Sequence, residues 1–561
     1  VKYGFLIFII FLLLSPDKTF SHSNNIRETV QIIHADIIDN YHQSFVLIGN
    51  VHLKYRNNHL FCDKIIYDKK IHKFYGYGNV NLESGKNKII SQNIEGNFSD
   101  FQLSGKVVLY REKIKLIANI VNFNLKKKLF KAINNVVLFF GKNKLQTNTL
   151  EYNLILNQIF YKKNSIIHYG DFTISSKEGF FYLNKKKIEL KYEIQLINEN
   201  YIIYANALEY LLEQDQVNFL NTAIFIQKKN FDNFIYANKA FFSLKKKIFL
   251  FKNYVSIHYN GRILKGKYLF FDHKKKCGFI EDLLLEDPNK KYFLTSGYGK
   301  FDFHSNSLTL ERNPKIIKTS KNNSIFIYSN ILKINIEKNN AYSIQAFSVE
   351  SFFLNQNFNE NIQGKCNFLN YKSSNNYIQF DGNPIFWGKN RQISGDVISI
   401  HFEDNENHNF LKKIKIIQNA FYTEKINSKE FNQIKGDIMI GFFNKNYLEK
   451  VMVEGNINSI IFLNTHNKEK KIMNRLSCKI LSIYFDQSKK INKISSSDEV
   501  YSELIPIHNK EIYNKFLYLP KFSWKEKNKP HKKFFAYKEM DKYKKESLLE
   551  KVKMKNIIKN K

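Results

Sequence analysis

Few residues in this 561-residue chain stand at spacings that do chemistry. Gly76-Tyr77-Gly78 begins like a nucleotide-binding glycine loop, but it lies inside an alternating apolar segment and leads into another one. No helix start follows to receive a phosphate. Gly299-Lys300 lacks both the following Ser or Thr and the preceding loop of a Walker motif, and reads as a turn. The 15 histidines are scattered, without a His-Glu-x-x-His pair, and no nucleophile elbow is present. Asp36, Asp63 and Glu95 do not form the stacked acidic face that a polysaccharide lyase would need. Cys62, Cys277, Cys366 and Cys478 are too far apart for a zinc knuckle or a thioredoxin motif. They are expected as buried or half-buried thiols in strands, and pairing in an oxidising compartment is left open. The expectation is therefore no enzyme, no cofactor and no metal.

What recurs is a placement of small and Asx residues within strands. Phe45, Leu47, Gly49, Val51 and Leu53 share one face by the two-residue strand period, and Asn50, His52 and Lys54 the other. The same figure returns at Phe74 to Leu82, with Gly78 and Val80, and at Phe101 to Leu109, with Leu103, Gly105 and Val107. It recurs more weakly around Val136, with Leu138 two residues on, and around Ile166, Ala223 and Val255. Two positions before these residues stand Gly49, Gly78, Gly105, Asn134, Asn164, Asn221 and Asn253. Gly and Asn share a tolerance of positive φ, so the position reads as a bulge or corner that bends the strand. A second landmark alternates with it: Ala35-Asp36, Cys62-Asp63, Ala118-Asn119, Thr147-Asn148, Ala205-Asn206 and Ala237-Asn238. Lys177 and Gly266 interrupt that series and leave the register there open.

Successive landmarks lie about 29 residues apart, enough for two strands of seven to nine residues and two turns. Residues 17 to 287 contain no proline, as long hydrogen-bonded ladders require. The predicted fold class is all-β, with stacked two-strand rungs forming an elongated β-jellyroll or open β-solenoid, in one unit or two consecutive ones. The proposed layout is a signal peptide or short anchor over 1–21 and a first stack over 22–310. A second β-unit over 311–524, beyond the point where the repeat fades, and a basic tail over 525–561 complete it. Lys2, the apolar run Phe5 to Leu14 and the polar stretch to Ser21 have the three parts of an export signal. In the tail, Leu548, Leu549 and Val552 suggest a short basic helix.

Lys and Arg number 87 against 51 Asp and Glu, for a net charge of +36, which raises anionic partners. The same chain is rich in Asn, Ile, Phe and Tyr, so AT-rich codon usage accounts for part of the excess. The runs Lys126 to Lys128, Lys185 to Lys187, Lys245 to Lys247 and Lys274 to Lys276 fall between apolar segments, where solvated turns belong. Nucleic acid is set aside because of the export signal.

Ala35-Asp36, Gly49-Asn50-Val51-His52-Leu53, Cys62-Asp63-Lys64-Ile65-Ile66-Tyr67-Asp68 and Gly78-Asn79-Val80-Asn81-Leu82 resemble the OstA-like β-jellyroll proteins of lipopolysaccharide transport. These are the LptA, LptC and LptD N-terminal-like domains, and the long Bacteroidetes-type members are the most similar. Ile393-Ser394-Gly395-Asp396, Ile434-Lys435-Gly436-Asp437, Val453-Glu454-Gly455-Asn456-Ile457, Cys478, Phe522-Ser523-Trp524 and Lys529-Pro530 echo the later part of those members.

The resemblance implies a periplasmic carrier whose inward residues form an open apolar trough for lipid A acyl chains. The candidates are Phe45, Leu47, Val51, Leu53, Phe74, Val80, Leu82, Leu103, Val107, Leu109, Val136 and Leu138, with Gly49, Gly78, Gly105, Asn134 and Asn253 as corners. It also implies an inner-membrane ABC transporter complex and an outer-membrane translocon as partners, and head-to-tail self-association through edge strands. The alternative is a structural or adhesive β-solenoid of the cell envelope with a closed core.

Overall fold

The computed structural model describes residues 30–530, apart from short intervening segments of which 356–361 and 465–470 are the longest. The signal assigned to 1–21 and the tail beyond Pro530, with Leu548, Leu549 and Val552, lie outside the described residues. The chain is all-β: apart from a short helix at Lys510–Lys515 and a single 3-10 turn at Glu526–Asn528, every regular element among the described residues is a strand. It divides into two compact units, Val1–Ile280 and Glu281–Lys561.

In the first unit, Ser44–Tyr55, Asn58–Asp68, Lys73–Ser84, Asn87–Gly96, Asp100–Arg111, Ile114–Asn124, Leu129–Phe140 and Asn143–Asn153 follow one another as antiparallel neighbours. Each has ten to twelve residues, longer than the seven to nine expected. The difference comes from the bulges. Every pair shifts register near its middle, between Ile48 and Val51 in the first and between Ile117 and Ile120 in the last-but-one, so one strand bends there instead of ending.

Burial follows the bend. Odd strands keep their phase through it, as in Leu47 and Val51 or Leu103 and Val107. Even strands slip by one residue: Ile114, Leu116 and Ala118 point inward, then Val121 and Phe123. The corner itself takes two forms. At Gly49, Gly78, Gly105, Asn134 and Asn253 the backbone has positive φ, between 61° and 82°. At Asn164 and Asn221, expected to be equivalent, the chain breaks between Gln158–Tyr161 and Ser165–Tyr169 and between Gln216–Phe219 and Ala223–Gln227.

At Lys177 and Gly266, the positions that interrupt the landmark series, the same corner recurs: the pairing shifts by one residue between Lys252 and Val255 and between Phe172–Ser176 and Glu178–Tyr182. Lys177 donates its backbone N–H to Tyr192, whose φ is 60°, and Gly266 pairs with Val255 opposite the Asn253 corner. Nor does the repeat fade beyond 310. In the second unit, positive-φ pairs recur at Arg312-Asn313, Gly382-Asn383, Gln418-Asn419, Gly455-Asn456 and Asp498-Glu499. Its strands reach 18 residues in His408–Lys425 and Tyr447–Asn464. That length dilutes the 29-residue period without removing the corner.

Candidate lipid-binding trough

The corner is a hydrogen-bonded seam. Asp36 donates its backbone N–H to the Gly49 carbonyl at 3.0 Å and accepts from Asn50 Nδ2 at 3.1 Å. Asp63 accepts from Asn79 Nδ2 at 3.0 Å, Asp396 from Asn419 at 2.9 Å and Asp437 from Asn456 at 2.7 Å. A Cβ on Gly49 or Gly78 would strike the Asp36 or Asp63 carboxylate, at φ values of 77° and 71° that already disfavour a side chain. The small residue at this corner position, followed by Asp or Asn in most rungs but by Gln92 after Ser91 and Gly297 after Ser296, faces inward and, where it can, donates to the carbonyl two residues on. Ser91 does so at 3.2 Å, Thr147 at 3.3 Å and Ser296 at 2.8 Å. Sequence reasoning missed this staple, although the exchange of Ala, Ser, Thr and Cys at one position was its signal.

Three of the four cysteines occupy that small position. Cys62, Cys366 and Cys478 are buried, and Cys62 and Cys366 direct their Sγ to the Lys64 and Phe368 carbonyls. Burial, with a lesser contribution from the Asp63 charge, pushes the Cys62 thiol up to about 12. Burial and then Asp381 do the same for Cys366, and burial raises Cys478. All four thiols are free, and Cys277 is half-buried.

Above the corner the inward candidates separate into two groups. Leu47, Val51, Val80, Leu103 and Val107 are at most 2 % exposed. One step further from the corner, Phe45, Leu53, Phe74 and Leu82 are half-buried, as are Leu60 and Tyr67 on the strand between them. From Asp100 to Asn153 the equivalent positions are packed except Phe101, which is half-buried and stacks on Phe123. Leu109, Leu116, Phe123, Phe130, Val136, Leu138, Leu145 and Tyr152 are all buried, and Phe123 stands edge-on to Phe130 with ring centroids 5.2 Å apart. The structure thus brings the candidates onto one inward face, open at the mouth over residues 44–84 and filled by its own side chains over 100–153.

The lysine runs stand on turns that stack. Leu154 donates its backbone N–H to Lys128, Leu183 to Asn157, Leu212 to Lys186, Leu244 to Asp215 and His273 to Lys247. Each turn closes on a residue of positive φ, among them Lys128, Lys186, Lys247 and Lys276. Alternate turns lie two strands apart, about 10 Å. The four runs therefore form one column along a single edge of the first unit, which the sequence alone did not reveal. Near the mouth, His52 Nε2 and His59 Nδ1 are 2.9 Å apart and His52 stacks on Phe61. Burial and then the neighbouring His59 lower the His52 pKa. Among the described residues no group of three His, Cys, Asp or Glu is placed to hold a metal.

An all-β stack with an Asx-stapled corner and an apolar inner face defines a class of elongated β-jellyrolls, and comparison with known families gives it a more particular place. The model described as "OstA-like protein" matches residues 113–206, and that of "LptA/(LptD N-terminal domain) LPS transport protein" matches 234–406. Those two stretches are therefore similar to OstA-like and LptA-type lipopolysaccharide-transport domains. Among solved structures it is similar to LptH, the LptA-homologous periplasmic component of lipopolysaccharide transport from Pseudomonas aeruginosa. That match has 12 % identity and a TM-score of 0.12, and covers 22 % of this chain and 76 % of that one. Protein Ycf2 of Physcomitrium patens is 24 % identical over 496 residues, 74 % of this chain, which spans about a fifth (21 %) of that protein's length.

Proposed function

We propose that the chain is a periplasmic carrier that holds the acyl chains of lipopolysaccharide against the inner face of its first unit and bridges inner- and outer-membrane complexes. The observation that carries this reading is the burial gradient over residues 44–84. Leu47, Val51 and Val80 close the corner, while Phe45, Leu53, Phe74 and Leu82 leave half-open apolar surface at the mouth. Each methylene taken from water contributes about 0.8 kcal/mol, so a dozen contribute about 10 kcal/mol before ordering costs. The lysine column on the turn edge suits lipid A phosphates as a row of point charges. Energy for movement comes from an ABC transporter at the inner membrane, and delivery is to an outer-membrane translocon. The strands Gln31–His34 and Ile37–Asn40 carry exposed Ile32, Ile33, Ile37 and Ile38, and are the edge for joining a similar rung or a second copy. No catalytic step is assigned.

The packed interior over residues 100–153 favours a second reading, a structural solenoid of the envelope with a closed core. The two part on one experiment. The full chain is purified from an envelope containing lipopolysaccharide, and bound lipid is identified by mass spectrometry. Stoichiometric lipid A supports the carrier, and its absence after gentle purification supports the closed solenoid.

A further inference from the structure

Two glutamines interrupt the apolar interior of the second unit. Trp387, Gln392, Thr423, Gln433 and Ile460 are cross-strand neighbours in one row, each at most 3 % exposed, and the row continues to Arg475. A buried primary amide needs partners for both ends. Gln433 finds them outside the sheet, donating Nε2 to the Leu517 carbonyl at 2.9 Å and accepting the Leu519 N–H at 2.9 Å. Gln392 repeats the arrangement with the Ser523 carbonyl at 2.8 Å and the Lys525 N–H at 2.9 Å, and its Oε1 also accepts from Trp387 Nε1 at 3.1 Å. Each glutamine therefore reads one carbonyl and the N–H two residues further on in the same segment.

The segment they hold crosses the strands in order. Phe516 lies under the Arg475 guanidinium, 3.9 Å from its ring centroid, and residues 517–519 lie on Gln433. Residues 523–525 lie on Gln392, and Lys529 Nζ reaches the Gly388 carbonyl at 3.1 Å. From the Lys471–Phe485 strand to Arg391–Ser394 is four strand steps, about 19 Å perpendicular to the strands. Leu519 enters a cluster with Phe421, Ile460, Met473 and Ile505, while Phe522 and Trp524 lie against Phe431. The segment forms no ladder with any strand among the described residues; side chains hold it.

We infer that residues 516–525 are a displaceable plug, occupying the inner face of the second unit along the line that an acyl chain would follow and leaving when lipid arrives. The inference rests on the carrier reading for the identity of the competitor, and on the two glutamine clamps for the fit. A plug held by five side-chain bonds, four to the glutamines and one from the Tyr518 hydroxyl to the Lys429 carbonyl at 3.0 Å, is released without unpairing a strand, whereas a ladder strand would have to be stripped from its neighbour.

The test uses the full chain and rough lipopolysaccharide as the probe. Hydrogen exchange is read at the Leu519 and Lys525 amides, and photo-crosslinkers stand at Leu53 and Leu82 in the first unit and at Met473 in the second. Lipid should accelerate exchange at both amides about ten-fold and label Met473. Gln392→Met with Gln433→Met should raise exchange at both amides by about a hundred-fold again and strengthen Met473 labelling, since the two clamps together remove four neutral hydrogen bonds. If Leu53 and Leu82 are labelled while the two amides stay protected and Met473 stays dark, the segment is a permanent cap and the inference is wrong. If Leu53 and Leu82 are not labelled, the carrier reading fails separately. The plug is then judged with an anilinonaphthalene dye: faster exchange at Leu519 and Lys525 upholds it, and unchanged exchange removes it.

Discussion

Gly78→Ala isolates what the corner seam contributes to the fold. Gly78 has φ 71°, and an added Cβ would meet the Asp63 carboxylate, which accepts two hydrogen bonds from Asn79 at 3.0 and 3.2 Å. Gly85, a turn glycine at φ 56°, has nothing within 4 Å of the same added atom. Both substitutions carry the left-handed backbone penalty, about 1–2 kcal/mol. Only Gly78→Ala also displaces Asp63, and losing an exposed charge-assisted pair adds about 1 kcal/mol or somewhat more. The expected costs are therefore about 2–4 kcal/mol at Gly78 and about 1–2 kcal/mol at Gly85. Urea-dependent hydrogen exchange over peptides spanning residues 58–84 measures both. In an Asp63→Ala background the Gly78 cost should fall to the Gly85 value. Equal costs for the two substitutions, or no relief from Asp63→Ala, would refute the seam as a source of stability.

The buried thiols of Cys62 and Cys366, pushed up to about 12, should resist a disulfide reagent at pH 8 in the native chain while Cys277 reacts; Cys62 reacting as fast as Cys277 would contradict the corner packing. His52 has a lowered pKa, so the unfolded state binds more protons just below the ordinary value of 6.5, and protection of residues 44–61 should fall as pH drops through that value. His52→Gln should flatten the dependence, and an unchanged slope would move its origin elsewhere. Tyr161, 1 % exposed, shares a 2.7 Å hydrogen bond with buried Ser176, so Tyr161→Phe should cost about 1–2 kcal/mol by leaving that hydroxyl unpaired. Differential denaturation of the two forms would show it, and a neutral result would mean that Ser176 finds another acceptor.

Much of the architecture was legible because strand alternation and corner chemistry are both local. Gly49, Gly78 and Asn134 advertise positive φ by residue type, and the 29-residue spacing follows from two strands and two turns. The strand length was misjudged because a bulge lets one strand turn a corner without a break, and residue types do not distinguish a bent strand from two short ones. Asn164 and Asn221 show the reverse: the same residue type stands where the ladder is interrupted. The inward face around Leu47 and Val80 could be read from period two, but whether that face is open or filled depends on volumes summed across neighbouring strands. For the same reason Leu109 and Leu138 are packed while Leu53 and Leu82 are half-exposed. Gln392 and Gln433 carried no sequence signal, since their partners lie more than 80 residues away at Leu517, Leu519, Ser523 and Lys525. Phe522-Ser523-Trp524 stood out only by resemblance.

The most direct measurement places photo-crosslinkers at Leu53 and Leu82, inside the mouth, and at Asn50 and Asn79, on the outer side of the corner, in cells that make lipopolysaccharide. Strong lipopolysaccharide adducts at the inner pair with none at the outer pair are predicted. Equal labelling at all four positions, or none at Leu53 and Leu82, would contradict the carrier.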